Sequence, residues 1–280
     1  MSSAPRPILL AVGDTDTYES SLNLACAEAL RAGRSLRLAH VLEDRDPSDA
    51  RRLLDDIERQ AHVLTGGSVP VEKLVRTGPV VTELTELSRD AHLVVLQRRQ
   101  LSRLQRLVTT SVSAHVAGRA HAPTVSVPEG WEPRDVGGAR QVTVGVDGVD
   151  SEEGHRLLAH ALTRATEVGA ELTIVHGWQL PSGYDDAVIA QPEVEEWRER
   201  YLRVLHGRLG PLLSVHSTVP TTVEIRHLHP AEALIQAAKE SDLMVVGRGR
   251  LEHPLLKHLG SVARAVLRDA DCPTEVVDDQ

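Results

Sequence analysis

Residues 245–262, VVGRGRLEHPLLKHLGSV, hold the side chains and glycines best spaced to do chemistry. An apolar run ends at Gly247, a second glycine follows at Gly249, and Gly260-Ser261 opens a segment of helical spacing. Glycines after a strand and again at a helix start suit an oxyanion, because backbone N–H groups converge on it with no side chain in the way. The amino end of a helix adds about half a positive charge. Ser261 could cap that helix or offer its hydroxyl to a phosphate. Arg248, Arg250, Lys257 and His258 bring positive charge to the same loop. A guanidinium is a good phosphate partner, yet Arg250 is bulky where the loop should be smallest. The plainer alternative is a turn with solvated basic side chains and an ordinary serine N-cap.

Other chemistry has less support. His227 and His229 lie two apart at a strand end and so share a face, with His253 and His258 on the following loop. No cysteine accompanies them, and Glu252 is the only acid in that loop, so no metal site is expected. Cys26 and Cys272 form no CxxC pair and define no disulfide framework. There is no GxSxG elbow, no HExxH and no GxxxxGKS/T loop, so no catalytic role is expected. A net charge of −9 argues against a nucleic-acid partner, whose binding rests on neutralising phosphates. The apolar run near the amino end is too short for a signal peptide or a membrane span, which leaves a soluble cytoplasmic protein as the expectation.

The elements that must position the glycine loop occur twice. Residues 91–127 align without a gap on 241–277, an offset of 150. Leu93 falls on Leu243, Ser111-Val112 on Ser261-Val262, and Pro123-Thr124 on Pro273-Thr274. Farther forward, residues 22–41 lie on 158–177, so that Gly33 meets Gly169 and His40 meets His176. A duplication of this length sets the domain organisation before any other reading. The first domain is placed at 1–130 and the second at 141–280. Residues 131–140 between them belong to a Pro- and Gly-rich stretch without apolar periodicity, the composition of a linker.

Within each copy, short apolar runs alternate with helical patterns. PILLAVG and QVTVGVD, then LRLAHV and LTIVHG, then VEKLVR and VEIRHL, then LVVL and LMVV, and finally TVSV and TEVV read as five strands per copy. Residues 50–64, 193–209, 80–91 and 231–242 read as helices, as do segments starting near Ser111 and Ser261. Such alternation predicts an α/β fold with a parallel sheet covered on both faces. Aromatic residues are 2% of the chain and Phe is absent, so the core must be built from Val, Leu, Ile and Ala. Ligands in such sheets bind beyond the carboxyl ends of the strands, where the strand order reverses. The segments GVDGVD, VHGW, RHLHP and VVGRGR should therefore converge.

These residues together resemble the universal stress protein family in its tandem, two-domain form. The resemblance is carried by VGVDG (144–148), the VH that ends strand two, the Pro-Ala-Glu-Ala-Leu helix start (230–234), DLMVVG (242–247) and the tail GSVARAVLRDADCPTEVV (260–277). It implies two tandem doubly wound parallel sheets of five strands each, Rossmann-like and akin to the adenine nucleotide hydrolase fold. It also implies that the two domains pair within the chain and that the protein forms a homodimer. One subset of the family binds ATP through a motif of glycine, two residues, glycine, nine residues, glycine and Ser or Thr. Here Gly247 and Gly260-Ser261 stand in register, whereas Arg250 replaces the second glycine and Gly249 comes one place early. The resemblance therefore implies ATP, without specifying magnesium, in the second domain only. The implied contacts are Asp147, Gly148, Gly177, Gly247, Arg248, Gly249, Arg250, Gly260, Ser261 and Val262. Asp147 would serve the ribose, since a carboxylate beside phosphates repels them, and Gly177 would lie against adenine. In the first domain Gln97 and Gln100 replace both loop glycines, and Thr110-Ser111 replaces Gly-Ser. That domain is expected to have lost the nucleotide. The rival reading is a ligand-free interaction module in which both sites are vestigial. An enzyme of the related hydrolase class would need an SGGxDS loop near strand one, which AVGDTD and GVDGVD do not supply.

Overall fold

The structure is a computed structural model that describes residues 5–13, 17–42, 47–98, 111–134, 140–146, 151–180, 191–216, 218–249 and 259–278. The chain divides into two compact units, one over residues 1–132 together with Leu259 and the other over 133–249 with 260–280. Arg134, from the stretch read as a linker, is tied to the second unit: its guanidinium donates to Asp242 Oδ1 at 3.1 Å and to the carbonyls of Lys239 and Glu240.

The first unit runs β1 (Ile8–Val12), α1 (Glu19–Ala32), β2 (Leu36–Leu42), α2 (Pro47–Thr65), β3 (Val71–Thr77), α3 (Val80–Leu87), β4 (Leu93–Arg98), α4 (Val112–Ala117) and β5 (Thr124–Pro128). Its strands pair in the order β3-β2-β1-β4-β5, all parallel. Every residue of β1 is buried, as expected for a central strand covered on both faces. Ile8, Leu10 and Val12 pack with Leu22, Ala25 and Ala29 of α1 and with Leu54 and Ile57 of α2. Leu9 and Ala11 face the other way, onto Leu84 and Leu87 of α3 and Val116 of α4. Each fully buried Leu or Ile contributes about 1.5–3 kcal/mol, so this alternation fixes which residue faces which layer.

The second unit repeats the plan with β6 (Arg140–Gly145), α5 (Glu152–Val168), β7 (Ala170–Trp178), α6 (Gln191–Val215), β8 (Thr221–His227), α7 (Pro230–Ala238), β9 (Leu243–Gly247), α8 (Ser261–Asp269) and β10 (Thr274–Val277). The order is β8-β7-β6-β9-β10, again all parallel. Each unit is thus a doubly wound α/β sheet of five strands, with its order reversing between β1 and β4 and between β6 and β9. In both units a buried histidine bolts strand two to strand one. His40 Nδ1 lies 3.0 Å from Val12 O, and His176 Nδ1 lies 2.9 Å from Val146 O. A carbonyl only accepts, so the proton sits on Nδ1 in each.

Three helices depart from the sequence reading, among them α7, which ends at Ala238 rather than at 242. The pattern over 80–91 is not one helix: α3 ends at Leu87 and a tighter turn follows at Ser88–Asp90. Ser88 Oγ donates to Thr85 O at 2.5 Å, which favours the tighter winding. α6 runs through Gly210-Pro211 to Val215 rather than stopping at 209, because Leu209, Leu212 and Leu213 still pack on the core. Among the described residues no helix is long and apolar enough to cross a membrane.

Candidate functional site

The carboxyl end of β9 leads into the glycine loop. Gly247 is the last strand residue, and Arg248 N–H continues the ladder by donating to Val277 O at 3.1 Å. Gly249 then turns the chain at φ +82°, a conformation that a side chain disfavours. Across the loop, Gly260 N–H donates to Arg248 O at 2.8 Å. A Cβ on Gly260 would lie 3.1 Å from that oxygen and 3.5 Å from Gly249 Cα. The two glycines therefore mark a close approach of backbone to backbone. The positive φ falls at Gly249, the glycine one place early in the sequence pattern.

Gly260 is the N-cap of α8, with no side-chain cap, and the first helical bond runs from Arg264 N–H to Gly260 O at 3.0 Å. This corrects the reading of Ser261 as the cap: it is the first helical residue, and its side chain is exposed. The N–H groups of Ser261, Val262 and Ala263 make no hydrogen bond among the described residues. Three donors and the positive end of a nine-residue helix thus lie together beside the exposed Ser261. That arrangement is chemically suited to an anion.

Arg248 does not fit the role of an exposed clamp. It is 6% exposed, and its Nη1 donates to Asp278 Oδ2 at 2.9 Å. A guanidinium so deeply placed needs a carboxylate partner, and Asp278 supplies one. Gly177 is glycine for a packing reason. A Cβ there would come within 2.7 Å of Pro230 Cα and 3.0 Å of Ala233 Cβ, so a glycine is required for α7 to lie against β7. Asp147, Gly148, Arg250, Lys257 and His258 lie outside the described residues. So do His253 and Glu252.

The histidine pair is not assembled as a ligand set. His227 stacks on Trp178 with centroids 4.4 Å apart, while His229 caps α7 by accepting the Ala231 N–H at 3.3 Å. Among the described residues no group of three or more His, Cys, Asp or Glu could hold a metal ion.

The equivalent place in the first unit is built differently. Gln97 stands where Gly247 stands in the second. Its Oε1 accepts the Ser21 N–H of α1 at 3.0 Å, and its Nε2 donates to Val127 O at 3.4 Å. The side chain thus bridges the start of α1 and β5 at the carboxyl ends of the strands. Ser111 is a true N-cap, its Oγ accepting the Ala114 N–H at 3.3 Å. Gln100 and Thr110 lie outside the described residues.

Sequence reasoning missed one charged cluster. Glu275 of β10 is buried, with Oε1 2.7 Å from His160 Nε2 and Oε2 2.9 Å from Arg164 Nε, both on α5. Burial alone would raise its carboxyl, but the Arg164 charge and the His160 hydrogen bond outweigh it and bring it down to about 2. The available signal was a lone acid inside the apolar strand TEVV.

Comparison with known proteins finds the universal stress protein family matching residues 5–128 and again 138–278. A universal stress protein of Mycobacterium tuberculosis strain CDC 1551 is 30% identical over 237 residues, 79% of this chain and 71% of that protein. One from Mycolicibacterium smegmatis is 29% identical over 231 residues, 81% of this chain and 74% of that protein. Among solved structures, a universal stress protein from Archaeoglobus fulgidus DSM 4304 superposes with a TM-score of 0.66 at 18% identity, covering 98% of this chain and 97% of that one. The last likeness concerns the fold alone.

Proposed function

The chain belongs to the universal stress protein family, and we propose that it acts as a non-enzymatic, cytoplasmic stress-response regulator that holds an adenine nucleotide, ATP foremost, in its second unit only. The observation that carries this reading is the uncapped amino end of α8 beside the Gly249–Gly260 contact. The N–H groups of Ser261, Val262 and Ala263 would hold the phosphates, with the Ser261 hydroxyl beside them. Asp147 would serve the ribose. Gly247 supports the reading by having no side chain at the position where Gln97 bridges Ser21 and Val127 in the first unit.

The same contrast favours a second role for the first unit. With Gln97 bridging Ser21 and Val127 and with Ser111 capping α4, the starts of α1 and α4 each receive an acceptor from the unit's own side chains. We assign it a ligand-free, structural and partner-binding role.

The test is direct. Purified protein is denatured and the supernatant assayed for ATP, ADP and AMP, and the refolded or ligand-free protein is titrated with ATP by calorimetry. Bound nucleotide, or saturable heat with one site per chain, is the expected result. No released nucleotide and no heat at millimolar ATP would sink the proposal. Two sites per chain would overturn the assignment to the second unit alone.

A further inference from the structure

We propose that the second unit carries a further binding site, between the carboxyl ends of β7 and β8 and the helix α6. Its ligand is a small uncharged planar molecule with both a hydrogen-bond donor and an acceptor, of the aromatic-amide type. Two observations carry this. The first is a pair of orphaned atoms. His176 Nε2 and Trp178 Nε1 are buried and have no hydrogen-bond partner among the described residues, in side chains of residues 8% and 5% exposed. His176 Nδ1 is committed to Val146 O at 2.9 Å, so its Nε2 is an acceptor, whereas an indole nitrogen only donates. Buried donors and acceptors are nearly always paired in folded proteins, because leaving one unpaired is costly. Alternation along β7 puts these two side chains on one face of the sheet, where both adjoin Tyr201 of α6.

The second observation is the wall around them. The chain holds three tryptophans, three tyrosines and no Phe, yet Trp178, Trp197 and Tyr201 meet here. Ring centroids lie 4.6 Å apart for His176 and Tyr201, 6.0 Å for Trp178 and Trp197, and 4.4 Å for Trp178 and His227. Such faces receive a planar ring by offset stacking. The only permanent charge among these side chains is that of the exposed Arg200, whose guanidinium lies 5.3 Å from the Trp197 ring centroid. A charged ligand beside His176 and Trp178 would be buried without a counter-charge, which selects an uncharged one. α6 is seated firmly where Leu205 and Leu209 are buried and lightly where Val194, Trp197 and Tyr201 are half-buried. Entry is by lifting of those first turns, the less stable end of the helix. A carbonyl that accepts from Trp178 and an N–H that donates to His176 then satisfy both atoms.

The site is separate from the nucleotide reading and does not rest on it. Gly177 lies between the two residues on β7 and faces the other way, onto Pro230 and Ala233 of α7. The first unit keeps the histidine bolt at His40 without the aromatic wall. Leu42 pairs with Thr77 where Trp178 pairs with His227, and α2 packs Leu54 and Ile57 on that core. Leu42 offers no polar atom, so the donor is particular to the second unit.

The experiment uses the full chain, labelled with nitrogen-15, and the probes benzamide, toluene and benzoate. Benzamide should bind saturably with a Kd of about 1 mM or tighter and should move the Trp178 indole N–H resonance. Toluene has the ring without the polar edge and should bind about tenfold more weakly. Trp178→Phe keeps a ring and removes the donor, so it should weaken benzamide about tenfold and leave toluene unchanged. No movement of the Trp178 resonance at about 20 mM benzamide overturns the proposal. Toluene binding as tightly as benzamide also overturns it, because the polar atoms are then not read. Tighter binding of benzoate overturns the uncharged class and makes Arg200 the ligand. Excess ATP should leave benzamide bound, and displacement would overturn the separateness of the two sites. If Trp178→Phe fails to fold, Trp131→Phe and Trp197→Phe assign the resonance by elimination, and the native protein decides.

Discussion

The two units share strand order, helix order and even a histidine bolt, yet they treat two equivalent places in opposite ways. At the carboxyl ends of the strands, the first unit spends side chains on itself: Gln97 reaches Ser21 and Val127, and Ser111 caps α4. The second unit leaves glycine and an uncapped helix there. Inside the layer between the last strand and the first helix the contrast is reversed. The first unit has apolar Val125, whereas the second buries Glu275 with Arg164 and His160 at the matching position. A duplicated fold thus keeps its packing plan while polar groups are redistributed. Groups that satisfy each other inside the molecule stabilise it, and groups left unsatisfied at a strand end are available to a ligand.

The largest effect should come from importing the first unit's valine. Glu275→Val leaves Arg164 buried, still facing Glu167 at 3.1 Å but without its interior carboxylate. Breaking a buried pair on one side costs about 3–5 kcal/mol. Denaturant unfolding should show that loss in the second unit, and Arg164→Met added to Glu275→Val should recover most of it. An equal loss in the double variant would mean that the charges themselves, not their mismatch, hold the layer. The same group sets an acid limit. The folded carboxyl lies at about 2, below its ordinary value of 4.5. Its contribution is therefore fully present above about pH 4.5 and is lost as pH falls toward 2. The first unit, with Val125 there, has no such term, so the double variant should lose this part of the acid sensitivity in a circular-dichroism titration.

Next in size is the exchange of the plug. Gly247→Gln should fill the second unit's crevice and weaken ATP about 100-fold, roughly 2.7 kcal/mol. The reverse change, Gln97→Gly, should not create a second site, because Ser111 still caps α4. It should instead remove the acceptor of the Ser21 N–H and cost about 1 kcal/mol. Calorimetry reads the first outcome and unfolding the second. A gain of ATP binding by Gln97→Gly would show that the plug alone separates the units.

Gly177 tests the comparison on the packing side. Its counterpart is Val41, which packs partly buried against the cluster that holds Leu84 and Leu87 of α3. In the second unit α7 lies closer, and Gly177→Ala would force Cβ to within 2.7 Å of Pro230 Cα. Overpacking of this kind costs about 1–3 kcal/mol. Thermal unfolding should show that loss, and wild-type stability would mean that α7 can move back without penalty.

The sequence carried the fold well because both of its signals are global. Alternating apolar runs such as ILLAV and LMVVG must be buried on both faces, and the duplication let each copy check the other. Local polar geometry was harder to read. Gly177 reads from the family resemblance as an adenine contact, and its packing role emerges only when Pro230 is seen against it. The serine of Gly260-Ser261 resembles a cap by residue type, but the cap is decided by φ and ψ at Gly260. Gln97 was legible as a lost glycine and not as a bridge, because its partners lie 76 and 30 residues away. Glu275 and Arg164 lie 111 residues apart, so nothing local in TEVV announces their pairing.

The smallest expected effect isolates that cap. Ser111→Ala removes the only side-chain acceptor that the described residues give the Ala114 N–H, and should cost the first unit about 1 kcal/mol. Ser261→Ala removes a hydroxyl that caps nothing among the described residues, so it should shift the second unit's stability by less than about 0.5 kcal/mol. On ligand binding the pair should invert: Ser261→Ala weakens ATP and Ser111→Ala leaves it untouched. Unfolding and calorimetry on the same two proteins therefore give four numbers, and the crossed pattern is the signature of one serine serving the helix and its duplicate serving a ligand. A parallel pattern, with both serines costing stability and neither costing affinity, would return the Ser261 hydroxyl to an ordinary structural role.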